Sequence, residues 1–275
     1  MKNIFKSIRK KWRYAAWATS IISIFILMSI SSGHQSRHHL HSLIVRIDTS
    51  NHEHFLADSD IVKQLHDGGF YGLENFESGR LNLRNLEHLI LSNPYVHSAE
   101  VFLDMNDNLH VDVKQVRPII RIINTSGVSY YLDEYAVAVP PSNNFTARVP
   151  VATGWIAEDL TNSGTADAGI PKQIFQLAKI IDADSLLKPL IEQVAVSASG
   201  NFELVTKIGD HVVQLGDSSG MKEKLEKLIA FYSNPVAQRS LNRYSVINLE
   251  YRDEVYCTLN DTRIQPIKSD SSKHH

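Results

Sequence analysis

Between Arg13 and Arg37 the chain runs for 23 residues without a formal charge, counting His34 as neutral. Ala15, Ala16, Trp17, Ala18, Ile21, Ile22, Ile24, Phe25, Ile26, Leu27, Met28 and Ile30 form its centre. A helix apolar on every side has to be buried, and nothing before it could supply a core. A helix of about 20 residues rises about 30 Å, the thickness of a bilayer's hydrocarbon interior. Ahead of it stand Lys2, Lys6, Arg9, Lys10, Lys11 and Arg13 and no acid. Trp12, Tyr14 and Trp17 lie at the basic end, where interfacial aromatics belong. The pattern predicts a cytoplasmic basic tail over 1–13, a single transmembrane helix over 14–33 with its apolar run at Trp12–Ile30, and everything later outside the cytoplasm. A cleaved signal peptide is the competing reading, because Ser29, Ser31, Ser32 and Gly33 are small and would suit a cleavage site.

The body has to carry the function, since the cytoplasmic piece is too short to fold. Net charge is −2 over 275 residues, and the leader holds six positive charges, so the body is acidic. That excludes a basic field for nucleic-acid binding. One cysteine, Cys257, excludes an intramolecular disulfide, Cys-rich zinc modules and CxxC redox motifs.

Residues 34–42 hold His34, Arg37, His38, His39 and His41 without a period and read as a linker. Leu43, Val45 and Ile47 then alternate with Ile44, Arg46 and Asp48, as in a half-buried strand. Asp58 and Ser59 precede Ile61, Val62 and Leu65, and Gly68-Gly69 ends a short helix. Asn82 caps a second helix with Leu83, Leu86, Leu89 and Ile90 on one stripe, stopped by Pro94. Ala99, Val101, Leu103 and Met105 alternate into the turn Asn106-Asp107-Asn108, and Leu109, Val111 and Val113 lead out. The order strand, helix, helix, strand, strand predicts a three-stranded sheet with helices on one face.

Past Arg117-Pro118 the texture becomes strand-dominated. Strands are expected within 128–139, at 149–153, 191–197, 202–208 and 212–215. Helices are expected from Pro171 through Ile181 and over 219–233, with Met221, Leu225, Leu228, Ile229 and Tyr232 on one stripe. Ser245–Tyr251 and Glu254–Leu259 form a closing hairpin, and 260–275 read as a disordered polar tail. The fold class is α+β, in two domains outside the membrane.

Catalytic constellations are sparse: the chain has no GxGxxG, Walker loop, HExxH or GxSxG. Cys257 has no histidine tied to it by spacing. His34, His38, His39, His41, His52 and His54 include ligand-type side chains but no carboxylate or thiolate spaced with them, so a solvated linker accounts for them. Asp133-Glu134 and Asp182/Asp184 read as turn and cap acids, and Tyr130-Tyr131 as core of a strand. The expectation is no enzyme, no cofactor, no metal and no catalytic residue.

Several of these stretches together resemble the FtsQ/DivIB family of bacterial cell-division proteins. They are Leu86-Glu87 with Leu89, Asn93-Pro94-Tyr95-Val96, Ala99-Glu100-Val101, Leu109-His110-Val111, Arg117-Pro118-Ile119 with Arg121, Tyr130-Tyr131-Leu132-Asp133 leading to Pro140, and Ile247-Asn248-Leu249-Glu250-Tyr251. The stretch from Asn93 to Ile119 resembles Bacteroidetes members most. The resemblance implies a membrane anchor, a POTRA domain (β-α-α-β-β) over 43–116 and a strand-rich β domain with helices over 117–259. It implies a non-enzymatic divisome scaffold in the cell inner membrane at the septum, single-pass with its body in the periplasm. Its partners would be FtsB/FtsL-like proteins and other septal proteins, not nucleic acid. Partner binding in the family adds a strand to the last edge of the β domain, which here corresponds to Val255, Tyr256, Cys257, Thr258 and Leu259, with Tyr251 as a contacting aromatic. The residues themselves agree, because a last strand with one neighbour exposes unpaired backbone groups. Leu259 departs from the pattern by standing where members carry a larger aromatic. The competing functions are a POTRA-bearing part of a protein-translocation system and an anchored peptidoglycan-acting envelope enzyme. The first needs repeated POTRA units or a barrel and the second a catalytic set, neither of which the sequence carries.

Overall fold

The computed structural model describes residues 39–49, 54–72, 76–77, 81–161, 164–239, 241–252 and 254–260, with the isolated positions Trp17, Ile22 and Ser23. Apart from those three positions, the expected membrane span lies outside the described residues, as does the expected disordered tail beyond 260. Among the described residues, no helix is long and apolar enough to cross a membrane. The described residues divide into two compact units: those up to Arg46, with Asp58–Ile90 and Ala99–Val113, form one, and those of Ile47–Ala57, Leu91–Ser98 and from Lys114 onward the other.

The elements of the first half are β1 (Leu43–Asp48), α1 (Asp58–Asp67), α2 (Leu83–Leu91), β2 (Val96–Leu103) and β3 (Leu109–Gln115). Their strands form a three-stranded sheet in the order β1-β3-β2. Strand β1 alternates half-buried and exposed positions as its sequence does. Leu40, which the sequence places in a linker, is buried, and its N–H donates to the Phe76 carbonyl at 3.2 Å. Regular packing thus begins ahead of β1.

Helix α1 carries Asp58 and Asp60 in its first turn, where carboxylates meet the positive end of the helix dipole. It ends in a Schellman arrangement: Gly69 N–H donates to the His66 carbonyl and Phe70 N–H to that of Leu65, with Gly69 at φ +94°. Glycine takes that dihedral without a Cβ penalty, which is why Gly68-Gly69 stops the helix. Asn82 caps α2 through its Oδ1, which accepts from Asn85 N–H at 3.2 Å. The turn between β2 and β3 is organised by Asp104. Its carboxylate accepts from the N–H groups of Asn106 and Asn108 and from the Asn108 amide, while Asp107 takes φ +59°.

The second unit holds a nine-stranded mixed sheet in the order β12-β11-β10-β9-β8-β7-β4-β5-β6. Its strands are β4 (Pro118–Ile123), β5 (Ser129–Asp133), β6 (Ala138–Val139), β7 (Val151–Gly154), β8 (Ile191–Val196), β9 (Phe202–Thr206), β10 (Val212–Gly216), β11 (Tyr244–Asn248) and β12 (Tyr256–Leu259). Between β7 and β8 lie α3 (Gly169–Ala183) and α4 (Leu187–Leu190); between β10 and β11 lie α5 (Met221–Ser233) and α6 (Pro235–Gln238). The β7/β8, β10/β11 and β4/β7 pairs are parallel. A parallel pair needs a crossover, and helices fill the first two. Ile174, Leu177, Ala178 and Ile181 of α3 join Met221, Leu225 and Leu228 of α5 in one core with Ile120, Ile122, Val194, Leu204 and Val213 of the sheet.

Tyr130 and Tyr131 are both buried, as expected of core aromatics. Phe55 stacks on Tyr95 at 5.4 Å and meets Tyr131 and Phe145 edge-on at 6.0 and 4.9 Å. Asp133 and Glu134 work at a turn: Asp133 Oδ1 accepts from the N–H groups of Tyr135 and Val137. Arg117 holds Glu134 on one side and Asp182 on the other, with its Nη2 at 3.2 and 2.8 Å from their carboxylates.

Candidate partner-binding edge

The two ends of the nine-stranded sheet differ. At the β6 end, Ala138 N–H donates to the Gly164 carbonyl at 2.6 Å and Ala166 N–H to that of Ala136 at 2.9 Å, so a loop covers the outer strand. At the other end β12 pairs on one flank with β11, antiparallel, with Tyr256 opposite Asn248, Cys257 opposite Ile247, Thr258 opposite Val246 and Leu259 opposite Tyr244. No strand lies on its other flank among the described residues. An edge of this kind presents a row of N–H and C=O groups that a further strand can pair with.

Side chains along this edge differ in burial. Val255 and Cys257 are half-buried and pack against the core, whereas Tyr256 and Leu259 are 51 and 55% exposed. Thr258 is also exposed. Burial pushes the Cys257 thiol above its ordinary value, the opposite of an activated nucleophile. Tyr256 Oη donates to Glu254 Oε2 at 2.5 Å. That bond to a carboxylate, which a phenolate would repel, raises the Tyr256 phenol above its usual value.

Tyr251, expected within the penultimate strand, stands beyond it, because β11 ends at Asn248. The reason is local. Asn248 Oδ1 accepts from Glu250 N–H at 2.8 Å, an Asx turn that ends the strand. Leu249 is fully buried and keeps one sheet bond, N–H to the Gln214 carbonyl at 2.9 Å. Tyr251 is 55% exposed and sits edge-on to Tyr256 with ring centroids 4.6 Å apart. Val255 likewise precedes β12 rather than belonging to it. The six expected residues therefore lie along one sheet edge and the turn leading into it. Tyr251 and Tyr256 form an exposed aromatic pair at the head of the strand, and Leu259 stands at its end.

Lys227 of α5 belongs to that turn and was not marked by the sequence. Its Nζ donates to the Leu249 carbonyl at 2.9 Å and also to the Tyr251 carbonyl. On a helix that also carries Lys222 and Lys224 it reads as one charge of a solvated face, and no spacing rule separates it from them. The opposite end of β12 is fastened by Asn260, whose N–H donates to the Arg243 carbonyl at 2.7 Å and whose amide donates to that of Asn242 at 3.2 Å.

No three His, Cys, Asp or Glu side chains are grouped as a metal site among the described residues. His34, His38 and His52 lie outside them. His211 is buried beside β10, with Nε2 2.5 Å from Tyr232 Oη.

A POTRA-like domain model matches residues 40–114, and a model described as FtsQ/DivIB, C-terminal related, matches residues 117–258. No curated protein matches the chain significantly. The FtsQ/DivIB proteins are non-catalytic cell-division scaffolds with divisome partners. With more than half its length under the second match, the chain belongs to the FtsQ/DivIB family.

Proposed function

We propose that this protein is a divisome scaffold that captures an FtsB/FtsL-like complex by strand addition at β12. The observation that carries the reading is the flank of β12 on which no strand lies among the described residues, headed by the exposed pair Tyr251 and Tyr256. In strand addition the backbone supplies affinity and alternate side chains supply selectivity. Tyr256 and Thr258 are the outward side chains of this strand, and Leu259 closes its far end. The same reading places 14–33 in the cytoplasmic membrane as a single anchor and the body in the periplasm at the septum. It divides the labour between a POTRA domain over 43–116 and the β domain over 117–259, with the latter receiving the partner.

The test is co-purification of the tagged full chain with the FtsB and FtsL homologues of the same cells. Tyr256→Pro removes an exposed side chain and the N–H through which the head of β12 pairs with β11, so that the strand is no longer presented there, and Tyr256→Glu keeps the backbone while placing a charge there. Both variants are expected to lose the partners while keeping the wild-type circular dichroism spectrum. Partner recovery at the wild-type level by a folded Tyr256→Pro protein would refute strand addition at β12.

A further inference from the structure

We propose that Lys227 is a positioning residue for the partner-binding edge, its ammonium fixing the turn that presents Tyr251 against Tyr256. The inference rests on the reading of β12 as the partner's edge and adds a residue that lies off that edge, on α5.

The three lysines of α5 have different partners. Lys222 is largely exposed and sits 4.0 Å from Glu226, a pair worth little in water. Lys224 is buried and paired with Asp217, at 2.8 Å from its carboxylate and 3.0 Å from its carbonyl. Lys227 instead caps two main-chain carbonyls, those of Leu249 and Tyr251. These carbonyls follow the last residue of β11, the Leu249 carbonyl partly buried and that of Tyr251 exposed. Backbone carbonyls set back from solvent require a donor, and an ammonium is the strongest kind available.

Holding residues 249 and 251 to one nitrogen limits the dihedrals of Glu250 between them. The Asn248 side chain fixes the same residue from its N–H side. The turn is thus determined from the sheet by Asn248, from the core by Leu249, and from the helix by Lys227. Tyr251 leaves this turn directly and lies against Tyr256. Lys227 also links the two walls of a groove of about 650 Å³ that Gly220, Lys224, Leu249, Tyr251 and Arg252 help to line. Without that link the wall bearing Tyr251 is held only at its sheet end.

Lys227→Met keeps the apolar stem and removes the donors, and Lys227→Arg restores a cation that can reach both carbonyls. Each variant is made in the tagged full chain, next to Tyr256→Pro. Two readouts are taken: co-purification with the FtsB and FtsL homologues of the same cells, and amide hydrogen exchange of the protein without partners. Lys227→Met is expected to lose exchange protection over 249–256 only, with protection across α5 and β8–β10 retained, and to capture at least about tenfold less partner, the equivalent of one charge-assisted hydrogen bond. Lys227→Arg is expected to recover most of both. Wild-type exchange over 249–256 in Lys227→Met, or undiminished capture, overturns the positioning role. Loss of protection throughout Met221–Ser233 overturns it as well, by making Lys227 a general support of α5. If Tyr256→Pro captures partners normally, the edge reading itself falls, and the exchange data then decide the local role of Lys227 alone.

Discussion

Arg117 is the most connected charge in the β domain, and its removal has a calculable cost. Its Nη1 and Nη2 meet the two oxygens of Asp182 at 3.2 and 2.8 Å, a bidentate pair, while Nε and Nη2 reach one oxygen of Glu134 at 3.3 and 3.2 Å. The Arg117 and Asp182 side chains are about one-fifth exposed, and Glu134 is 30% exposed. A partly buried bidentate pair contributes about 2 kcal/mol, in the range for hydrogen bonds between charged groups. The more exposed Glu134 pair adds about 0.5 kcal/mol after screening. Arg117→Met keeps the stem's packing, so the expected loss is about 2.5 kcal/mol, or roughly 5–10 °C in Tm for a domain of this size. Asp182 is not orphaned, because Lys188 Nζ stays at 2.8 Å. Burial pushes the Asp182 carboxyl up, but Arg117 and Lys188 overcome it and hold the group below its ordinary value. A depressed carboxylate contributes fully above its unfolded value of about 3.9 and loses that contribution as pH falls through the folded value. The gap between wild type and Arg117→Met should therefore be constant near neutrality and close in acid. Urea unfolding followed by near-UV circular dichroism measures it at each pH. A variant within about 0.5 kcal/mol of wild type at pH 7 would show that these ion pairs contribute nothing net.

Two further perturbations test other parts of the sheet. Gly154 ends β7 at φ +105°, and a Cβ there would lie 2.1 Å from the Val196 carbonyl oxygen. Gly154→Ala is expected to cost about 1–3 kcal/mol for the dihedral alone, plus the clash, so the protein should become insoluble or melt well below wild type; a melting curve within about 2 °C of wild type would contradict this. His211 is held toward its neutral form chiefly by burial, against the weaker opposing pull of the Leu241 carbonyl and Asp210. With the folded value depressed, the unfolded chain takes the proton first. Stability is then complete above about pH 6.5 and falls below it. Urea midpoints for His211→Gln should lose that part of the decline between about pH 6.5 and 5, and an unchanged slope would remove His211 as its source.

Where the chain alternates at period two or 3.6, sequence and structure agree: β1, the hairpin of β2 and β3, α1, α2 and α5 appear where the pattern puts them. Strand β4 escaped because Pro118-Ile119-Ile120-Arg121-Ile122-Ile123 does not alternate. It lies in the middle of the sheet, between β5 and β7, with Ile119, Ile120 and Ile122 all buried. A strand covered on both faces reads as a continuous apolar run, which periodicity cannot classify. The parallel pairs escaped for a related reason. Hairpins announce themselves in adjacent residues, whereas β10 and β11 are joined across α5 and α6 and their pairing has no local signal. Charges were legible as charges but not as partners: Lys227 and Arg117 lie far in sequence from the groups they hold.

The corner that remains is best understood by comparing how the sheet ends on its two sides. Proteins blunt exposed edges with charge, proline, short strands or a covering loop. Strand β6 has two of these, being only two residues long and bonded to the Gly164 carbonyl. Strand β12 is short, but Tyr256–Leu259 contains no charge and no proline, and two of its four side chains are large, apolar or aromatic, and about half exposed. An uncharged edge of that composition invites association with whatever strand it meets. It is also fastened at both ends, by Lys227 through the preceding turn and by Asn260 through Arg243 and Asn242. A surface that is both open to pairing and held in shape has already met part of the ordering cost of binding. An edge kept only to close the sheet would need the opening but not the fastening, and Lys227 is where the two accounts separate.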